Sequence, residues 1–277
     1  MIKIDSHQHF WQYNPAEHTW MTDQMTGLKK DFLPEDLAPL LDQIQFDGCI
    51  SVQARQSTAE TNWLLKLADE YDFIKGVVGW LDLCSPTIEN TLASYSNRKK
   101  LVGLRHVVHD EPDDHFMLRP AFLNGIAALA EFNLTYDLLL FPKHIPVALE
   151  LVKKFPDQAF VVDHIAKPFI ANAEFSPWKE DLNELAKHPN VFCKLSGMVT
   201  EAKWRDWHEH DFSPYLDIVT ESFGAGRLMI GSDWPVCTLS AGYAETMKIV
   251  TDFTNQFSPE IREDILGGNS CMFYNIL

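Results

Sequence analysis

Cysteine is scarce and shows no pairing pattern. Five are spread over 277 residues (Cys49, Cys84, Cys193, Cys237, Cys271), an odd number with no C-x-x-C spacing. That excludes a disulfide scaffold and a zinc knuckle and suits a reducing compartment. Positive charge is short as well. Lys and Arg number 23 against 39 Asp and Glu, a formal net charge of −16. Binding to a nucleic-acid backbone or an anionic membrane needs clustered cations, so both are poor partners. No apolar run approaches the roughly 18 residues of a membrane helix. The opening Met1-Ile2-Lys3-Ile4-Asp5-Ser6-His7 lacks an apolar h-region, so no secretory signal is expected and a cytoplasmic protein is. Low-complexity tracts, short repeats and linker-like shifts are missing too. These absences leave a small molecule as the expected partner and one domain over residues 1–277.

What is present is a 46% apolar fraction, enough for a substantial core, arranged in short runs. Ile2–Asp5, Cys49–Gln53, Gly76–Leu81, Leu101–Val107, Leu134–Leu140, Ala159–Ile165, Val191–Leu195 and Leu228–Ile230 are rich in Val, Ile and Leu, as buried parallel strands should be. Helical patterns fall between them. Pro34 opens a helix with the stripe Leu37/Leu40/Leu41/Ile44 that stops before Asp47-Gly48, and Ser57-x-x-Glu60 reads as a capping box. Ser85-Pro86, Ser213-Pro214 and Ser258-Pro259 each read as an N-cap followed by proline. The stretches 119–132, 144–155, 178–188 and 242–257 also carry helical spacing. Eightfold strand–helix alternation in a chain this long predicts an α/β fold, a (β/α)8 TIM barrel. A doubly wound open sheet would ordinarily carry a Gly-rich turn after its first strand, where His7-Gln8-His9-Phe10 stands instead.

In such a barrel the active site lies at the C-terminal ends of the strands. That rule selects His7-x-His9, Gln53 and Arg55, Trp80 and Asp82, Arg105-His106, Tyr136-Asp137, Asp163-His164, Lys194 and Ser196, and Asp233-Trp234. The period of two puts His7 and His9 on one side, able to ligate one metal or to donate to one substrate oxygen. Asp233 is placed as general base or ligand, or merely as a loop cap. Strand alternation presents one of Asp163 and His164 inward; parity leaves open which, and His164 is taken as the inward one. Trp80 and Trp234 are candidate pocket walls, whereas Trp63, Trp178, Trp204 and Trp207 are expected in helix packing or at the surface. His208 and His210, on the loop after the seventh strand, are weak candidates for reaching the site.

The ordered segments D-S-H-Q-H-F-W, V-Q-A, G-L-R-H, Y-D, D-H-I-A-K-P, K-L-S-G, G-S-D-W-P and G-G-N resemble the amidohydrolase superfamily. Within it they resemble the sugar-acid lactonase branch of L-fucono-, L-rhamnono- and 2-pyrone-4,6-dicarboxylate lactonases. The resemblance covers essentially the whole chain. It implies a hydrolase that opens a sugar-acid lactone, with a site built from His7, His9, His164 and Asp233. Asp233 would activate water, His164 and Arg105 would join the catalytic set, and Gln53, Trp80, Tyr136, Asp137, Lys194 and Trp234 would meet the sugar. Arg105 and Tyr136-Asp137 stand where a two-metal member would carry bridging and histidine ligands, so at most one ion is expected, a Zn-like ion on His7, His9, His164 and Asp233. Metal-independent members of the branch leave a metal-free site as the other expectation. Arg105 has two readings: a cation for a developing oxyanion, or an ion pair with Asp137 or Asp82. A metal-dependent decarboxylase, a non-catalytic sugar-acid binder and an amidase are the rival functions.

Overall fold

The computed structural model describes residues 2–276. Eight strands alternate with helices: β1 (Ile4–Gln8), α1 (Pro34–Ile44), β2 (Gly48–Val52), α2 (Thr58–Glu70), β3 (Ile74–Gly79), α3 (Ile88–Ser94), β4 (Leu101–His106), α4 (Pro120–Leu129), β5 (Thr135–Leu138), α5 (Ile145–Lys154), β6 (Phe160–Val162), α6 (Trp178–Ala186), β7 (Val191–Leu195), a one-turn α7 (Met198–Glu201), α8 (Ser213–Phe223), β8 (Leu228–Ile230) and α9 (Tyr243–Phe253). Two further helices, α10 (Pro259–Glu263) and α11 (Asn269–Tyr274), flank a π-helical turn at Asp264–Gly268. The strands pair in parallel in chain order. Gln8 bridges to Trp234, the His9 amide donates to the Trp234 carbonyl (2.7 Å) and the Asp233 amide to the His7 carbonyl (2.8 Å), which brings β8 back to β1. The result is the expected (β/α)8 barrel. Among the described residues, no helix is long and apolar enough to cross a membrane.

Two apolar assemblies hold it. The larger fills the space between strands and helices, where the stripes of α1 (Leu37, Leu41), α5 (Val147, Ala148, Leu151) and α8 (Leu216, Val219) turn inward. The smaller combines Ile4, Ile50, Val52, Val102, Val161 and Met229 of the strands with Phe273 and Tyr274 of α11, so the C-terminal helix plugs one end of the barrel. Chemistry is thereby confined to the other end.

Several expected boundaries shift. β1 runs through His7 to Gln8 rather than ending at Asp5, and its pairing with β2 slips between Asp5 and Gln8. The slip lets residues of like parity serve different layers. Asp5 accepts from Ser232 and from the Tyr243 hydroxyl of α9, while His7 reaches Asp163. The expected capping box at α2 is half formed: Ser57 accepts from the Glu60 amide, but the Glu60 carboxylate turns to the amides of Ala54 and Arg55. Ser85-Pro86 does not open α3, which is preceded by Thr87; the Ser85 hydroxyl instead accepts from the Thr87 amide. Ser213 lies inside α8 after Phe212, whereas Ser258 caps α10 as expected.

Arg227 fastens three elements outside the site. Its guanidinium donates to the carbonyls of Ala186, His188, Val191 and Phe223 at 2.8–2.9 Å, at the ends of α6 and α8 and the start of β7. Arg227→Met removes every donor and leaves half-buried carbonyls short of partners, an effect of about 1–3 kcal/mol. Thermal denaturation is expected to show a melting temperature lowered by roughly 2–10 °C; a wild-type value would contradict this fastening role.

Candidate active site

The site is assembled by a break in the backbone rule that governs the rest of the barrel. β6 stops at Val162, and the chain then places His164, Ile165, Ala166 and Lys167 in the left-handed region, with φ of 55°, 47°, 60° and 50°. Such conformations are unfavourable for L-residues and persist where surrounding contacts over-determine them. Here the turn swings Asp163 and His164 into the barrel together, where alternation predicted only one. Asp233 has the same backbone sign, φ 58°, and stands three residues beyond the end of β8. Gly197 makes room: a Cβ there would lie 2.6 Å from the His164 ring, and its own φ is +65°.

Asp233 Oδ1 lies 3.3 Å from His9 Nε2, 3.7 Å from His164 Nε2 and 3.9 Å from His7 Nε2. The Nε2 atoms of His7 and His9 are 3.3 Å apart. His9 donates Nδ1–H to the Val52 carbonyl (2.8 Å), and His164 Nδ1 engages the Ser196 hydroxyl (2.8 Å). Both rings therefore present Nε2 to the carboxylate, as hydrogen-bond partners on Nδ1 orient imidazole ligands in metal sites. Burial drives the His7 and His164 imidazoles far below their usual range. Burial alone would raise the Asp233 carboxyl, but His164, His9 and Lys167 hold it below the ordinary carboxylate value. His7, His164 and Asp233 bring ligand atoms within 4.8 Å of one another. The N/O donor set, with two rings already anchored through Nδ1, fits one Zn-like ion.

Beneath this cluster runs a buried charge network. Arg105 donates Nη1 to Asp163 (3.0 Å) and Nη2 to the Gln53 carbonyl. Lys194 Nζ pairs with Asp137 and lies 3.0 Å from Asp163. Burial raises the Asp137 carboxyl to about 6 even against Lys194, whereas Lys194, His7 and Arg105 overcome burial at Asp163 and hold it well below the carboxylate range. The ion-pair reading of Arg105 thus names the wrong acid: the partner is Asp163, not Asp137 or Asp82. Arg105 also reaches the cavity above.

That cavity has a volume of about 730 Å³ and is lined by His9, Arg105, His164 and Asp233 of the expected set. The six expected sugar-binding residues do not line it. Gln53, Tyr136, Asp137 and Lys194 are fully buried, since their strands direct them into the network or the core rather than toward the mouth. Trp234 packs on Phe10 and Phe32. Trp80, half-buried, donates its indole N–H to His106. Trp204 is exposed, as expected, and also lines the cavity, because α7 folds the loop after β7 inward; His208 and His210 stay exposed on the outer part of that loop.

Arg55, expected at the end of the second strand, also lines the cavity, and the remaining walls were not anticipated. Arg55 bonds Glu60 and Glu17, and Lys167 Nζ meets Glu201 at 2.9 Å. His109 stacks on Phe141, and Trp20 adds an aromatic face from the β1–α1 segment. Lys167 stands inside the D-H-I-A-K-P segment and Arg55 just beyond β2, so a charged residue close after a strand was the available signal. Nothing local to Glu17 or Glu201 marks them.

The barrel, the cluster at its mouth and the cavity define a hydrolase-type α/β barrel. The amidohydrolase family model matches residues 4–276, and the chain belongs to that family. It is 36% identical over 283 residues to an L-fucono-1,5-lactonase of Burkholderia ambifaria, covering 99% of this chain and 96% of the relative. An L-fucono-1,5-lactonase of Burkholderia multivorans is 37% identical with the same coverage. A crystal structure of an amidohydrolase from Burkholderia multivorans with bound zinc matches with a TM-score of 0.95 and 38% identity over the whole of both chains.

Gly197→Ala tests the packing of His164. A methyl group against the imidazole, added to a left-handed backbone, is expected to cost about 1–3 kcal/mol and to lower the melting temperature by roughly 2–10 °C. A thermal melt indistinguishable from wild type would show that His164 is not held as described.

Proposed function

We propose that this chain hydrolyses a sugar-acid lactone of the L-fucono- or L-rhamnonolactone kind to the free acid, with Asp233 as the base. One observation carries the chemistry: an ionised carboxylate surrounded by three imidazoles at the floor of a cavity large enough for a sugar ring. The two L-fucono-1,5-lactonases matched along nearly their full length support the lactone as substrate class. They favour it over the decarboxylase, amidase and binder readings.

In this reading a water beside Asp233 gives its proton to the carboxylate as its oxygen attacks the lactone carbonyl carbon. Negative charge moves onto the carbonyl oxygen, which lies in the positive potential of Arg105. Arg105 keeps its guanidinium in place through Asp163 and the Gln53 carbonyl, so little reorganisation accompanies the charge. Collapse of the tetrahedral centre breaks the bond to the ring oxygen. That oxygen takes the proton back from Asp233, leaving a hydroxy acid and a regenerated carboxylate. The polar walls Arg55–Glu17 and Lys167–Glu201 and the faces of Trp20 and Trp204 are the groups we assign to the sugar. A divalent ion bound by His7, His164 and Asp233, with His9 adjoining, would supply Lewis-acid polarisation of the carbonyl.

Asp233→Asn is expected to keep the fold and lower kcat/KM by at least about 10²-fold, the lower range for a positioned base. The measurement is acid release from a panel of aldonolactones; unchanged turnover removes Asp233 from the mechanism. Elemental analysis of the purified chain is expected to find no more than one tightly held divalent ion per chain. Two would contradict the donor assignment.

A further inference from the structure

Below the mouth cluster lies a second set of converging donors, His7, Asp137 and Asp163, whose ligand atoms fall within 4.8 Å of one another. A protein cation already occupies it. Lys194 Nζ lies 3.2 Å from His7 Nδ1 and 3.0 Å from Asp163 Oδ1, and it donates to Asp137 Oδ2. The Tyr274 ring closes the position from the plugged end, 5.5 Å from the ammonium, and its hydroxyl donates to Asp137. Lys194, Asp137 and Asp163 are fully buried. The network's formal charges match, Lys194 and Arg105 against Asp137 and Asp163. We propose that the Lys194 ammonium fills, with a side chain, what is otherwise a divalent-cation site, and that this is why the barrel has room for an ion only at its mouth.

The chemistry of the donors favours this reading over a chance ion pair. One imidazole nitrogen and two carboxylates are a zinc ligand set, and the Lys194 ammonium lies within 3.2 Å of an atom on each of the three residues, at hydrogen-bond rather than coordination distance. Replacing it by zinc requires the ligands to close in by about 1 Å, from N/O contacts near 3 Å to the 2.0–2.2 Å of zinc bonds. Removing the ammonium alone leaves Asp137 and Asp163 against Arg105, one buried negative charge in excess, which favours uptake of a cation and which a neutral side chain leaves in place. The inference does not rest on the lactonase reading, since its test reads metal content and stability rather than turnover.

The test compares Lys194→Ala with Lys194→Met, each expressed with and without added ZnCl2 and then desalted. Lys194→Ala opens the position. It is expected to retain one zinc per chain more than wild type, and zinc is expected to raise its melting temperature by about 5 °C or more, as ligand linkage requires. Lys194→Met fills the space without charge; it is expected to be destabilised, to gain no extra zinc and to show no such rise. Adding Asp137→Asn to Lys194→Ala should abolish the extra zinc, because Asp137 belongs to the lower set and not to the mouth cluster. The proposal is overturned if Lys194→Ala holds no more zinc than wild type, or fails to fold even with zinc present. It is equally overturned if Lys194→Met gains the same ion, or if the ion survives Asp137→Asn.

Discussion

Asp163 is the point at which the barrel and its chemistry are tied together. Its carboxylate is fully buried and meets Arg105, Lys194 and His7, which come from β4, β7 and β1. A carboxylate in such surroundings is tolerated only with charged partners, and removing one partner of a buried pair typically destabilises by several kcal/mol. The same contacts orient the mouth. Arg105 is held below the cavity, and His7 is gripped through Nδ1 so that Nε2 faces His9 and Asp233. The left-handed run after β6 follows from this requirement: the backbone must place Asp163 downward and His164 upward within two residues, which no regular strand achieves.

The mouth cluster and the network beneath it divide the electrostatic work. The imidazoles of His7, His9 and His164 surround Asp233 above, while paired cations and carboxylates lie below. A base within reach of water and a fixed positive potential under the carbonyl oxygen are the two things that ester hydrolysis asks of a site. The cavity walls add paired charges, Arg55 with Glu17 and Lys167 with Glu201, next to aromatic faces. That mixture suits a polyhydroxylated ring better than an apolar or polyanionic ligand.

Much of the architecture was legible in the chain because eight apolar runs and their intervening helical stripes impose it, and all eight strands lie within a few residues of where the runs fall. The cluster of His7, His9, His164 and Asp233 was legible for a related reason: each residue lies near the C-terminal end of an apolar run or within four residues after it. The substrate wall was not. Gln53, Tyr136, Asp137 and Lys194 also stand at strand ends, but two-residue alternation sends each into the barrel's buried interior or the surrounding core. The slip in β1 and the left-handed turn after β6 are tertiary compromises that no periodicity encodes. Trp204 and Glu201 reach the cavity only because α7 bends the β7 loop back, which a composition of polar and aromatic residues does not announce.

In the proposed reaction, water activated at Asp233 attacks the carbonyl carbon of a lactone. The most direct test is one turnover of an aldonolactone in water enriched in oxygen-18, followed by mass spectrometry of the acid. Attack at the carbonyl predicts one labelled oxygen in the new carboxylate and none in the hydroxyl released from the ring. Label in that hydroxyl, or an acid released without label, would contradict the account.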